Sequence, residues 1–521
     1  MSTFQNSDLS ILLRLFSGEG KKVFVLAEDQ GIDKRGSFPI QIFHHEESIL
    51  ESEQVILLIS DPDFLSEIKD LEKFSQIILL SGSRHTLPGF HSKSFHGISN
   101  PDKTLRWIYP VELTKPTFLN LYNASTWKGR LFQGLIKIAF HLGLRSSAAS
   151  LSFTLYSRQP SRLDNLLQQI DHHQYSIFTG TVGVNRKCIV EVNSKGKTTH
   201  FIKIPLNTHS GFLIRNEKQM LEAMKNSGFK SMTCPRVIHV EEMDAEVVDN
   251  IKPEKVIHST EFTALHAGAL VELYMKNLTA EKIRSSEFAE RVIQNIYLVK
   301  KNVMKKSLPV AEQLLEKLQV LQKNIDLSST VHFGISHGDF TPWNMYSSEN
   351  KLHVYDWELA RRDAPVLFDL FHFIFQKEVM IRKSSLEKIE AEIRKALDLP
   401  AIKEFIKVFK IDADLHYKLY LLSTVSYYLN VYLLQEKLHA QAYWLMDTWD
   451  EALSRTLPAA EGISQRKLFI RNYFKQIRFK KYAMLKFIHA SIEDIPEYSD
   501  LDMLVSKEDL PDYLKLLKRQ S

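Results

Sequence analysis

No regular secondary structure accommodates the eight residues HGDFTPWN, His337 to Asn344. Pro342 lacks an N–H, clashes with a preceding helical turn and removes a rung from a strand ladder. The flanking runs, VHFGIS and LHVYDWE, read as short strands. The motif is therefore expected to be an irregular loop between two strands. Neither helix nor strand packing needs its mixture of His, Gly, Asp, Trp and Asn. A second acid, Asp356, ends the strand that follows.

That mixture suits one chemistry. Moving a phosphoryl group from ATP to a hydroxyl needs a carboxylate to orient or accept the hydroxyl proton, metal ions to neutralise phosphate charge, and a cation to hold the phosphates. Mg²⁺ is hard and takes oxygen ligands. Asp339 is the candidate base, and Asn344 and Asp356 are the candidate metal ligands.

A β-rich region upstream supplies the remaining parts. Lys203 sits mid-strand in HFIKIP between apolar neighbours, where an ammonium needs a partner. Glu217, on the helix read over NEKQMLEAMKNSG from Asn216 to Gly228, is the candidate partner. Gly180 and Gly183 lie in FTGTVG, a turn ahead of the lysine strand. They read equally as plain turn glycines or as positions where backbone N–H groups approach phosphates. Trp343 and Trp357 read as packing residues.

HGDFTPWN, YDWE and the downstream APVLFDLFHF together resemble the aminoglycoside phosphotransferase and choline kinase family, relatives of the protein kinases, over about residues 152–456. The resemblance implies an α+β two-lobed, protein-kinase-like domain that uses ATP and Mg²⁺ to phosphorylate a small-molecule hydroxyl. Asp339 then resembles the catalytic acid, Asn344 and Asp356 the metal ligands, and Lys203 with Glu217 the phosphate-holding pair. His337 braces the loop, Asp369 stabilises it, and Glu358 matches an acid found in part of the family.

The chain has 521 residues, enough for several domains. Four segments are expected. Residues 1–150 form an α/β domain: KKVFVLAE, QVILLISD and QIILLSGS read as buried parallel strands, with a helix over PDFLSEIKDLEKF. RSSAAS breaks that pattern near residue 150. Residues 151–264 are a β-rich lobe and 265–460 a helical lobe. Residues 461–521 are a short helix–strand–helix segment, in which SDLDMLV puts Asp500 and Asp502 on alternate positions of a strand. That segment resembles the start of a nucleotidyltransferase domain, without the usual Gly-Ser turn.

A net charge of +5 is mild over this length and does not point to nucleic acid. RNYFKQIRFKKY reads as a solvated helix face over an apolar stripe. Two cysteines, Cys188 and Cys234, build neither a disulfide framework nor a metal site. The N-terminus lacks a signal-peptide pattern, and LYLLSTVSYYLNVYLL reads as a core helix rather than a membrane span. The expected location is the cytoplasm. The expected partners are a nucleoside triphosphate and a sugar, amino alcohol or aminoglycoside-like acceptor. Two alternatives stay open: a non-catalytic nucleotide-binding scaffold, and a bifunctional kinase and nucleotidyltransferase of surface-polysaccharide synthesis.

Overall fold

The computed structural model describes residues 6–17, 22–26, 40–43, 55–59, 74–80, 85–121, 127–240, 244–257, 260–306, 308–435 and 438–457, with short pieces from 470 to 514. The chain forms two compact units. The first comprises residues 1–281, 331–377 and 393–413, and the second the remainder.

The first unit is organised by a 12-stranded sheet. Its strands are β1 (Lys22–Leu26), β2 (Ile40–Phe43), β3 (Val55–Ile59), β4 (Phe74–Leu79), β5 (His91–Ser99), β6 (Leu105–Pro110), β7 (Leu151–Ser157), β8 (Gln174–Phe178), β9 (Lys187–Ser194) and β10 (Lys197–Pro205), followed after a two-residue strand β11 (Met232–Thr233) by β12 (Val237–Ile238) and β13 (Glu246–Asp249). The spatial order is β12-β13-β10-β9-β8-β6-β5-β7-β4-β3-β1-β2. The three apolar runs read as parallel strands are β1, β3 and β4, and they pair in parallel. The helix read between the last two lies outside the described residues.

RSSAAS contains a 3-10 turn, Ser146–Ala148, and the sheet continues past it. β7, which follows residue 150, lies between β4 and β5 and pairs antiparallel with both. One hydrophobic core accordingly joins Ile11, Phe16, Ile78 and Phe95 to Phe153, Leu166, Val190, Ile202 and Val247. The Phe95 and Phe153 rings stack at 5.1 Å. A second cluster joins Trp107, Tyr109 and Phe118 to Ile136 and Phe140 of the helix Trp127–His141.

Local sequence explains the elements nearest the site. β9 and β10 form the expected hairpin, turned at Lys195 and Gly196, both with positive φ. YSIFTGTVGVNRKCIVEV divides into two strands, because residues 179–186 turn between β8 and β9. The helix carrying Glu217 starts earlier than its sequence suggests. It spans Thr208–Met224, because Asn207 and Ser210 form a reciprocal cap, with Ser210 N–H donating to Asn207 Oδ1 at 2.8 Å. Asn216 is thus interior, and its amide donates to the Glu358 and Ala360 carbonyls at 2.9 and 3.0 Å. Of the two short strands read after it, PRVIHVEEM contains β12, whereas among its described residues EKVIHSTEF makes a single bridge, between Ile257 and Ser347.

The second unit is mainly helical. The helices Pro309–Asn324 and Ala440–Thr456 are joined by Lys317, whose ammonium meets the buried Asp450 carboxylate at 2.5 Å. LYLLSTVSYYLNVYLL lies in the helix Ala413–Leu433, most of whose later residues are buried. Among the described residues no helix is long and apolar enough to cross a membrane. Tyr473, Phe474 and Ile477 of the basic run, with Ile470 just before it, are buried at helical spacing, as its apolar stripe predicts. The terminal strands Tyr482–Met484 and Met503–Val505 pair antiparallel. Asp500 and Asp502 precede the latter strand rather than alternating within it, while the Asp502 carbonyl accepts the Leu485 N–H at 2.8 Å.

Candidate active site

HGDFTPWN follows the strand Thr330–Ser336 and precedes the strand Met345–Ser347, so it forms the irregular connection its composition requires. Gly338 is fixed by geometry. Its φ is +80°, and a Cβ there would lie 2.2 Å from the Leu359 carbonyl oxygen. Asp369, fully buried on the helix Phe368–Gln376, ties the loop from behind. Its Oδ2 accepts the His337 N–H at 2.8 Å, and its Oδ1 accepts Ser336 Oγ at 2.9 Å and the Gly338 N–H at 3.0 Å. Burial pushes this carboxyl up, against the pull of His337 and these donors.

His337 braces the same loop. Its Nδ1 accepts the Asp339 N–H at 3.2 Å, which leaves Nε2 to donate to the Tyr355 carbonyl at 3.0 Å. Trp357 is fully buried, packs edge-on to His337 at 4.6 Å, and donates Nε1 to the Val354 carbonyl. It is a packing residue. Trp343 is 39% exposed and lines the cleft described below.

Asp339 is held from two sides. Asn344 Nδ2 donates to its Oδ2 at 2.7 Å, and His372 Nε2 bonds its Oδ1 at 3.0 Å. Sequence reading misses His372, although it follows Asp369 by one helical turn, the spacing that puts both on one face. The Tyr355 N–H donates to the Asn344 carbonyl at 3.0 Å, which brings the start of VYDWE beside the end of HGDFTPWN.

Asp356 has a left-handed backbone, φ +67°, a conformation Asp tolerates better than most residues. Its Oδ1 receives Lys203 Nζ at 2.9 Å and Lys187 Nζ at 3.3 Å. Lys203 also meets Glu217 Oε2 at 2.5 Å, and Glu217 Oε1 accepts the Trp357 N–H. Lys187 forms a second ion pair, with Glu358. Burial alone raises Asp356, but Lys187 and Lys203 outweigh it and hold the carboxyl well below the usual range. Glu358 is pushed up to about 7 by burial and by Asp356, against the two lysines. Lys203 is raised despite burial because Asp356, Glu217 and Glu246 surround it. Glu246, opposite Lys203 on β13, is fully buried beside Glu217.

Lys203, Glu217 and Asp356 line a cleft of about 750 Å³. Ile189, Phe201, Val248 and Met345 give it apolar lining, and Asp249, Asn250 and Ile251 also line it. Asn120, from the 3-10 helix Thr117–Leu121, also lines it. Asp339 and Asn344 are not among the lining residues; their neighbours Pro342, Trp343 and Met345 are. Nor do Gly180 and Gly183 line it. Gly180, at φ +78°, is required by the turn, since a Cβ would lie 2.3 Å from the Lys187 carbonyl oxygen.

The structure thus brings Lys203, Glu217 and Asp356 into one cluster and Asp339 and Asn344 into another, linked through Tyr355. Oxygen donors from Asp356 and Asn344 fit a hard cation such as Mg²⁺. The site also already balances Asp356 with positive charge at the cleft.

Residues 190–379 match the model of the phosphotransferase enzyme family. "Protein LicA homolog" of Metamycoplasma hominis is 27% identical over 180 residues, which is 34% of this chain and 65% of that protein. The chain therefore spans slightly less than two thirds of this curated relative. Among solved structures, the ADP-bound aminoglycoside phosphotransferase APH(2'')-Ib is 14% identical over 56% of this chain and 95% of its own, with a TM-score of 0.35. A glucosamine kinase is 15% identical over 52% of this chain and 76% of its own, also at 0.35.

Proposed function

We propose that this chain is a small-molecule kinase, moving the γ-phosphoryl group of ATP to a hydroxyl of a sugar, amino alcohol or aminoglycoside-like acceptor in the cytoplasm. The supporting observation is the pair of clusters: a carboxylate fixed by Asn344 and His372, and a buried lysine held between Glu217 and Asp356. The family match over the same residues supports the reading.

In this reading the acceptor oxygen attacks the γ-phosphorus while its proton passes to the Asp339 carboxylate. The bond from γ-phosphorus to the bridging oxygen breaks, and ADP leaves. Asn344 also anchors Asp339, which keeps the carboxylate aimed. Lys203, aligned by Glu217, meets the phosphates and draws off the charge that develops on them. Asn344 and Asp356 are the residues that would hold Mg²⁺, which when bound neutralises the phosphate oxygens. The apolar cleft lining suits a flat base. The role of residues 1–150 is to carry the sheet and to supply Asn120 to the cleft.

The test is Asp339→Asn. It should abolish transfer from Mg-ATP across a panel of hydroxyl acceptors while calorimetry shows ATP binding within about twofold of the parent. A variant that transfers at the parent's rate refutes the assignment. ATP binding by the parent with no transfer to any acceptor would instead favour a nucleotide-binding scaffold.

A further inference from the structure

The buried cluster around Asp356 contains a duplication. Lys203, on β10, has one dedicated acid, Glu217, and reaches Asp356 Oδ1 at 2.9 Å. Lys187, on β9, has its own dedicated acid, Glu358, and reaches the same oxygen at 3.3 Å. The register explains the convergence. Lys203 is opposite Ile189, and Lys187 is opposite Pro205, two positions along. Directly opposed residues share a face of a sheet, and so do residues two apart. Both lysines therefore project from one face of the sheet, the face on which Lys203 lines the cleft; Lys187 lies behind that lining and reaches it through Asp356.

A lysine at this depth needs a reason. Lys187 is 9% exposed, and burying a charge is costly unless it is paired. Pairing with Glu358 alone would need only one buried ion pair, which apolar residues replace without loss in many proteins. A Lys187 that serves only Glu358 has no need to reach Asp356 as well. Lys187 also lies where the 179–186 turn closes onto β9, since Gly180 packs against its backbone.

We propose that Lys187 is a second phosphate-holding cation of the nucleotide site, positioned by Glu358 as Lys203 is by Glu217. This rests on the kinase reading above. Without nucleotide, two ammonium groups share Asp356. Arrival of a polyphosphate gives both a stronger anionic partner, which frees the Asp356 oxygen for a metal ion. Two lysines on adjacent strands then hold the phosphates from two directions, and ammonium–phosphate contacts are among the stronger hydrogen bonds.

The test is nucleotide affinity of the full chain, measured by calorimetry with adenosine, ADP and ATP, with Mg²⁺ and again in EDTA. Lys187→Met should weaken ADP and ATP binding by on the order of tenfold to a hundredfold, the worth of one charged contact, and leave adenosine within about twofold. The double variant Lys187→Met/Glu358→Gln removes both buried charges and should melt close to the parent. If Lys187 holds phosphate, the double variant stays weak for ATP. Recovery of parental ATP affinity in the double variant would overturn the proposal, because Lys187 would then serve only to neutralise Glu358. Unchanged ATP affinity in Lys187→Met would overturn it too. A parent that binds neither ADP nor ATP refutes the kinase reading itself, a result distinct from the other two.

Discussion

Asp369 offers the most direct measure of how the HGD loop is held. Its two oxygens receive three donors, and two of these are backbone N–H groups, from His337 and Gly338. Asp369→Asn keeps the shape but replaces one acceptor oxygen by an NH₂. The best arrangement of the amide leaves its oxygen on Ser336 and Gly338 and turns its nitrogen toward the His337 N–H. One buried donor is then orphaned, at a cost of about 1–3 kcal/mol. Asp369→Ala removes the acceptor of the His337 N–H and of Ser336 Oγ, while the Gly338 N–H keeps Ser336 Oγ at 3.0 Å, so its cost exceeds that of the amide variant. Urea unfolding followed by tryptophan fluorescence suits the measurement, because Trp357 packs on His337. The same displacement moves Asp339, so turnover should fall in the order parent, Asn, Ala. Equal unfolding midpoints and equal turnover for the parent and Asp369→Asn would refute the claim that this carboxylate holds the loop.

Two further predictions concern Gly338 in the loop and Glu246 beside Lys203. Gly338→Ala forces a left-handed alanine, at about 1–2 kcal/mol, and drives its Cβ onto the Leu359 carbonyl; turnover should drop by at least about tenfold, and a fully active variant would contradict the stated backbone geometry. Glu246 is raised well above its ordinary value, by burial first and then by Glu217, so the folded state keeps a proton that the unfolded state releases above about pH 4.5. Its contribution therefore falls as pH rises from that point. Glu246→Gln should stabilise the protein more at pH 8 than at pH 5 in thermal melts, and equal effects at both would rule out a protonated Glu246.

HGDFTPWN and VYDWE stand out in the sequence because a proline, a glycine and four polar side chains between apolar strands fit no regular element. Lys203 is visible because its neighbours are apolar. Lys187 is not, since a lysine opening a strand after a turn is ordinary, and only the β9–β10 register puts it beside Lys203. His372 is hidden inside the apolar run FDLFHF, where its ring reads as core. Glu217 is found on the right helix, but that helix begins at Thr208 because of a cap at Asn207, well upstream of the apparent start at Asn216. The least visible feature is the sheet. RSSAAS looks like a domain boundary, and only long-range pairing shows β7 lying between β4 and β5.

The place of β7 bears on how the chain is made. β4 and β5 are consecutive in sequence, yet each pairs with β7, and β6 pairs with β8. As the polypeptide leaves the ribosome, β4 waits for residues 154–157 before its second edge is covered. At roughly 5–20 residues per second, that wait lasts on the order of several seconds. Non-local pairing of this kind slows folding, and an open strand edge invites pairing with another chain. The first half of the sheet therefore depends for its solubility on the β-rich stretch that follows it, and a ribosome stalled near residue 150 would leave an adhesive intermediate.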